Sequence, residues 1–136
     1  MDSTIFKSLN VSGRLLDLSI PQVMGILNVT PDSFYAGSRS RTEADIAARA
    51  RQILDEGASM IDIGAYSSRP NAEHISPEEE MRRLRTGLEI LNQNHPGAII
   101  SVDTFRAGVA EECVKEYGVA IINDISAGEM DEHMFP

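Results

Sequence analysis

Tryptophan is absent from the 136 residues, cysteine occurs once, and aromatic residues make up only 5%. A single cysteine, Cys113, excludes an internal disulfide framework. Its place on the apolar face of a helical segment predicts a small buried hydrophobe rather than a nucleophile. Positive charge is also scarce: 12 Lys and Arg stand against 21 Asp and Glu, for a formal net charge of −9. That balance argues against a nucleic-acid binder with a basic stripe. Any anionic substrate must then be held by local cations or a metal, because the overall field repels it. No apolar run approaches the ~18–20 residues that a membrane span needs. The opening Met-Asp-Ser-Thr-Ile-Phe-Lys has no basic stretch followed by an apolar one. The expectation is a cytoplasmic protein without membrane or nucleic-acid partners.

What is present is a globular composition, 42% hydrophobic and 24% charged. Ile5–Leu9 and Arg14–Leu18 flank Asn10-Val11-Ser12-Gly13 and predict a small hairpin over residues 1–22. From residue 23 onward, short apolar runs alternate with segments of helical period. The runs Met24–Leu27, Met60–Ile63, Ile99–Val102 and Val119–Ile122 are short, nearly continuous and rich in β-branched residues. They suit parallel strands buried on both faces.

Three helices are expected between these strands. Thr42 with Asp45 resembles a capping box, Ala47, Ala50 and Leu54 share a face, and Gly57 closes the helix. Ser76-Pro77-Glu78-Glu79 combines an N-cap, a proline at the first helical position and an acid at the third. Met81, Leu84, Leu88 and Leu91 then repeat at three- and four-residue steps. A third helix is expected from about Thr104 to Gly118, burying Val109, Ala110, Cys113, Val114 and Tyr117. The order hairpin–βαβαβαβ implies a parallel α/β sheet. Periodicity leaves two closures open: an open doubly wound sheet, or the first half of a (β/α)8 TIM barrel.

In either closure ligands bind at the carboxyl ends of the strands. Asn28, Asp103, and Asn123 with Asp124 stand at three of those ends, and Asp62 lies within the second strand. Each alone reads as a cap or turn former, and Asp124 is expected to be only that. Several carboxylates and amides converging at one end need partners, and such a pocket suits a flat, nitrogen-rich heterocycle. Two loops add chemistry. Residues 28–38, with proline, glycine, hydroxyls and two aromatics, suit a lid over a site. In the loop Gly64-Ala65-Tyr66-Ser67-Ser68-Arg69-Pro70, a guanidinium beside hydroxyls suits carboxylate or phosphate.

The run Met24-Gly25-Ile26-Leu27-Asn28-Val29-Thr30-Pro31-Asp32-Ser33-Phe34 resembles the first signature of dihydropteroate synthases residue for residue. Ile61-Asp62-Ile63-Gly64 with Ser67-Ser68-Arg69-Pro70 is similar to the second. Ile100-Ser101-Val102-Asp103-Thr104 and Ile122-Asn123-Asp124-Ile125 resemble two further pterin-site segments in the same order. The resemblance implies a (β/α)8 barrel preceded by a hairpin, and a transferase that joins a pterin diphosphate to p-aminobenzoate in folate biosynthesis. It implies pterin contacts from Asp103 and Asn123, with Asp103 catalytic. It further implies p-aminobenzoate and diphosphate contacts from Thr30, Asp32, Phe34, Ser68, Arg69 and Pro70, and Mg²⁺ near Asn28. A sulfonamide target, since sulfonamides mimic p-aminobenzoate in this family, and a homodimeric full-length parent belong to the same expectation. Ala65, Tyr66 and Ser68 depart from the usual glycine, glutamate and threonine; Ser68 keeps the hydroxyl, so binding is expected to survive, and Tyr66 is the departure expected to change the rim of the p-aminobenzoate site. Residues 23–136 would supply four of the eight strands, so this chain alone is expected to be inactive. Two alternatives carry weight: a pterin-binding methyltransferase acting on methyl-tetrahydrofolate, and a non-catalytic half barrel.

Overall fold

The computed structural model describes residues 7–29, 39–65 and 74–135. Two four-residue strands, β1 (Ser8–Val11) and β2 (Arg14–Asp17), pair antiparallel. Between them Ser12 and Gly13 both take positive φ, 51° and 81°. That is the backbone of a two-residue hairpin turn, and glycine makes it cheap. The Asn10 side-chain oxygen accepts the Gly13 N–H at 2.9 Å and holds the turn shut. Arg14 donates to the Gly97 carbonyl at 2.8 Å, which ties the hairpin to the amino-terminal end of the main sheet. Ile5 and Phe6, expected in the first strand, lie outside the described residues.

The main sheet holds β3 (Met24–Asn28), β4 (Met60–Gly64), β5 (Ile99–Asp103) and β6 (Ile121–Asn123), all parallel and in chain order. Sequential order without a reversal is the signature of a singly wound sheet; a doubly wound one switches direction at its ligand crevice. The helices α1 (Arg39–Asp55), α2 (Pro77–Asn94) and α3 (Ala107–Tyr117) connect the strands.

Register decides which side chains share a face. Leu27, Ile63 and Val102 stand in one row, and Ile61 and Ile100 in another; all five are buried. They form one core with Ile46, Ala50 and Ile53 of α1, Met81, Leu84, Leu88 and Leu91 of α2, and Val109 and Cys113 of α3. Every strand residue of that core belongs to this one parity, which Val29 and Ala65 continue just past the strand ends. The helices therefore cover one face of the sheet. The opposite parity forms an inner face, where Ile26 on the edge strand β3 is 65% exposed. One covered face and one inner face is half-barrel geometry, with β3 and β6 as edges. The runs expected as buried on both faces are so only in β4, whose residues are all buried.

Gly25 and Gly87 allow the close packing of this layer. A Cβ on Gly25 would fall 2.2 Å from Ile53 Cγ2, and one on Gly87 would fall 2.5 Å from Ile63 Cδ1. Helix α2 starts as expected: Ser76 Oγ accepts the Glu79 N–H at 3.1 Å and Pro77 occupies the first turn. Two helix starts differ from expectation. Helix α1 already runs from Arg39, so Thr42 lies inside it rather than capping it; polar residues that start helices are also tolerated in a first turn. Helix α3 begins at Ala107, not near Thr104. Thr104 Oγ1 accepts the Arg106 N–H at 3.2 Å, a local turn that keeps the backbone out of the helix for three residues. The amide of Ala107 donates instead to Asp131 Oδ2 at 2.7 Å, so the cap comes from beyond β6. Val114, expected in the core, is 45% exposed. Helix α3 ends at Gly118 with φ 68°, a left-handed cap as expected.

Candidate functional site

The strand register places four residues side by side at the carboxyl ends: Asn28, Gly64, Asp103 and Asn123. They share the inner face, so the three polar side chains stand in one row across the sheet. Gly64 makes the row tight. A Cβ there would lie 3.4 Å from Asp103 Cβ and 3.7 Å from Asn28 Oδ1, so bare backbone lets both neighbours approach. Asn28 and Asn123 are exposed, and Asp103 is half-buried.

One row deeper lie Ile26, Asp62, Ser101 and Ile121. Asp62 is 5% exposed and Ser101 fully buried. Asn123 reaches down and across β5 to donate from Nδ2 to Asp62 Oδ2 at 3.2 Å. Asp62 Oδ1 and Ser101 Oγ have no hydrogen-bond partner among the described residues. Burial pushes the Asp103 carboxyl up to about 6, helped by the negative charges of Asp62, Glu80 and Asp124. At neutral pH it is mostly ionised, a carboxylate kept short of water.

Behind the row, Glu80 of α2 is completely buried and accepts from Arg106 Nη1 at 2.9 Å. Arg106 also donates from Nη2 to the Ile75 carbonyl at 2.7 Å, and its guanidinium lies 4.9 Å from the centre of the Phe105 ring. This clamp joins the loop after β5 to the segment leading into α2. Asp124, expected to be a turn former, is one: its carboxylate accepts the N–H groups of Ser126 and Gly128 at 2.8 and 2.9 Å.

The structure thus brings together Asn28, Asp103 and Asn123. Thr30, Asp32, Phe34, Ser68, Arg69 and Pro70, together with Tyr66, lie outside the described residues. Asp62, Gly64 and Glu80 were not singled out as site residues by sequence. A readable signal existed for Asp62, an acid inside an otherwise apolar strand. Glu80 looked like any acid in a helix's first turn. Two grooves of about 750 and 870 Å³ run along α3 and the 124–135 segment on the helix side. Neither is lined by Asp62, Asp103 or Asn123.

The family described as pterin binding enzymes matches residues 24–136. The chain belongs to the pterin-binding enzyme family. The mitochondrial folate synthesis bifunctional protein of Pisum sativum is 46% identical to it over 134 residues, covering 96% of this chain and 26% of that protein. The dihydropteroate synthase of Bacillus subtilis is 46% identical over 112 residues, covering 82% of this chain and 39% of the relative. Among solved pterin-binding enzymes, Xanthomonas albilineans dihydropteroate synthase with 4-aminobenzoic acid superposes with a TM-score of 0.83 at 38% identity. The match takes in 93% of this chain and 46% of that one. The Yersinia pestis dihydropteroate synthase in a sulfonamide drug complex gives 0.75 at 41% identity, over 90% and 44%. The chain therefore spans less than half the length of these relatives.

Proposed function

We propose that the polar row is the pterin side of a dihydropteroate synthase site, acting in folate biosynthesis. The observation that carries this reading is the register of Asn28, Gly64, Asp103 and Asn123 at the carboxyl ends of consecutive parallel strands, with Asp62 below. Its amides and carboxylates offer both acceptors and donors, which a flat heterocycle with ring N–H groups and carbonyls can match. The relatives described above are folate-synthesis proteins, which favours a synthase over the methyltransferase alternative.

In the reaction proposed, the C–O bond between the pterin methylene and diphosphate breaks. A C–N bond to the amine of p-aminobenzoate forms, and the amine loses a proton. Positive charge builds on the pterin as diphosphate departs. Asp103, an anion fixed within the row before reaction begins, stabilises that charge as it develops. Asn123 orients the ring. Asn28 presents an amide oxygen at the end of β3, the hard-donor chemistry that suits Mg²⁺, so this residue would hold the ion with the diphosphate. Bound there, Mg²⁺ would supply charge compensation for the leaving group. Arg69, Ser68, Pro70, Thr30, Asp32 and Phe34 belong to the same proposal as the p-aminobenzoate and diphosphate contacts. A cytoplasmic setting is part of it as well; no helix among the described residues is long and apolar enough to cross a membrane.

The test is pterin binding by the 136-residue protein, followed by quenching of pterin fluorescence. Saturable quenching that Asn123→Ala weakens is expected. A folded protein that leaves the fluorescence unchanged would remove the pterin site. Dihydropteroate formation by this chain alone is expected to be absent, because the inner face beside β3 is open to solvent.

A further inference from the structure

We infer that Asp62 is a positioning residue: it fixes the orientation of the Asn123 carboxamide, so that the site offers its ligand a carbonyl acceptor at that corner. The inference rests on the pterin-site reading for the identity of the ligand, but not for the pairing itself.

The pairing follows from donor chemistry. Asp62 Oδ2 and Asn123 Nδ2 are 3.2 Å apart. A carboxylate without a proton can only accept, so the amide nitrogen must face it. Turning the amide over would set two oxygens against each other at that distance, beside a side chain that is 5% exposed. Losing a buried charge-assisted hydrogen bond disfavours the reversed amide by on the order of tenfold to a hundredfold. Once Nδ2 is anchored below, Oδ1 is the end of the Asn123 amide left for a ligand beside the row. A free asparagine would present either end.

A purely architectural role for Asp62 fits the surroundings poorly. It is a carboxylate on the inner face of a strand whose other residues are Met60, Ile61, Ile63 and Gly64. Its Oδ1 is buried and, among the described residues, has no hydrogen-bond partner; neither does Ser101 Oγ, its register neighbour. A buried carboxylate retained for packing would have both oxygens satisfied. Its charge also opposes ionisation of Asp103. Among the described residues, the one hydrogen bond it makes is to a residue of the polar row. Asn123 in turn stands on β6, an edge strand of three residues, where sheet packing alone constrains a side chain weakly. Asp62, from the fully buried β4, lends it that constraint.

The consequence is selectivity by hydrogen-bond polarity. A ring edge carrying an N–H donor fits the anchored Asn123, and one carrying a second acceptor does not. Two fluorescent probes report this: 6-methylpterin, with a ring amino group, and 6-methyllumazine, with oxygen in its place.

The decisive comparison is between the native chain and Asp62→Asn, which keeps the shape but lets the two amides pair either way round. In ¹⁵N-labelled native protein, one Asn123 Nδ2 proton is expected displaced from free-amide values, and Asp62→Asn should return it towards them. By fluorescence, the native preference for the pterin is expected to be about tenfold or more, collapsing to within about threefold in the variant. A preserved preference in a variant with a native circular-dichroism melt would overturn the inference. Identical Asn123 side-chain signals in the two proteins would overturn it as well. Failure of the native chain to bind either probe would instead sink the pterin reading, leaving the pairing to be decided by the amide signals alone. Should Asp62→Asn misfold, Asp62→Ala provides the same comparison, because it removes the acceptor without adding a donor.

Discussion

Replacing Asp103 by asparagine should make the protein more stable at neutral and alkaline pH, and the gain should vanish in acid. The carboxyl sits at about 6 in the folded chain against 3.8 for an ordinary aspartate, chiefly because burial penalises its charge. At about 1.4 kcal/mol per tenfold change in acidity, that difference corresponds to about 3 kcal/mol. Partial exposure of the side chain reduces it to about 1–2 kcal/mol. The sign follows from the raised value. Below about pH 4 the carboxyl is protonated in folded and unfolded chains alike and carries no penalty. As pH climbs through about 6, the unfolded chain has already lost the proton that the folded chain still holds, and stability falls until both are ionised. Asparagine has nothing to ionise. The variant should therefore match the native protein near pH 4 and exceed it by about 1–2 kcal/mol at pH 8. All other titrating groups are common to both proteins, so the difference isolates Asp103. Urea unfolding at several pH values reads it: with slopes of about 1–2 kcal/mol/M, the midpoint should rise by roughly 1 M at pH 8. A gap of equal size at both ends of the range, or a variant less stable at pH 8, would refute the reasoning. In a complete barrel the same substitution should sharply reduce dihydropteroate formation, so stability and activity would move in opposite directions.

Two further substitutions test the packing that holds the site. Arg106→Ala leaves the Glu80 carboxylate buried without its cation and should cost about 3–5 kcal/mol in urea unfolding. Glu80→Leu with Arg106→Met should recover most of that loss; a single variant costing under about 1 kcal/mol would show the pair to be solvated. Gly87→Ala gains up to about 1 kcal/mol of helix propensity. It also drives a methyl to 2.5 Å from Ile63 Cδ1 and 3.1 Å from Val29 Cγ1, both in the core. Overpacking of about 1–3 kcal/mol should win, lowering the melting temperature by several degrees; a higher melting temperature would mean that Ile63 can move aside.

Much of this was legible in the residues. The four apolar runs became the four strands, each within a residue or two of its expected bounds. Gly118 and Ser76-Pro77 marked helix ends because their chemistry is local: a left-handed cap and an N-cap hydroxyl. The doubly wound alternative could not be excluded by periodicity, because closure depends on which strands neighbour one another. That is a property of the assembled sheet, although the family resemblance pointed to the correct answer. Asn28, Asp103 and Asn123 could be read as strand-end residues, but not as one row, since register is set by pairing. Glu80 was missed, and Asp62 was noticed but given no role, because their importance comes from partners 26 and 61 residues away. The start of α3 was misplaced for the same reason: Thr104 is a plausible cap in sequence, and the true cap is Asp131.

That remote cap has a consequence in time. Ala107 opens α3, and the carboxylate that receives its N–H lies 24 residues further along the chain. At about 5–20 residues per second, synthesis reaches Asp131 roughly one to five seconds after Ala107. During that interval the helix start lacks its acceptor, and for the first part of it β5 also lacks β6. Asp103, four residues before Ala107, stands in the meantime on β5, which pairs with β4 on its other side. The polar row is therefore finished before the helix is: its central carboxylate stands on a strand made early, its last member, Asn123, follows on β6, and the cap at Asp131 comes after both.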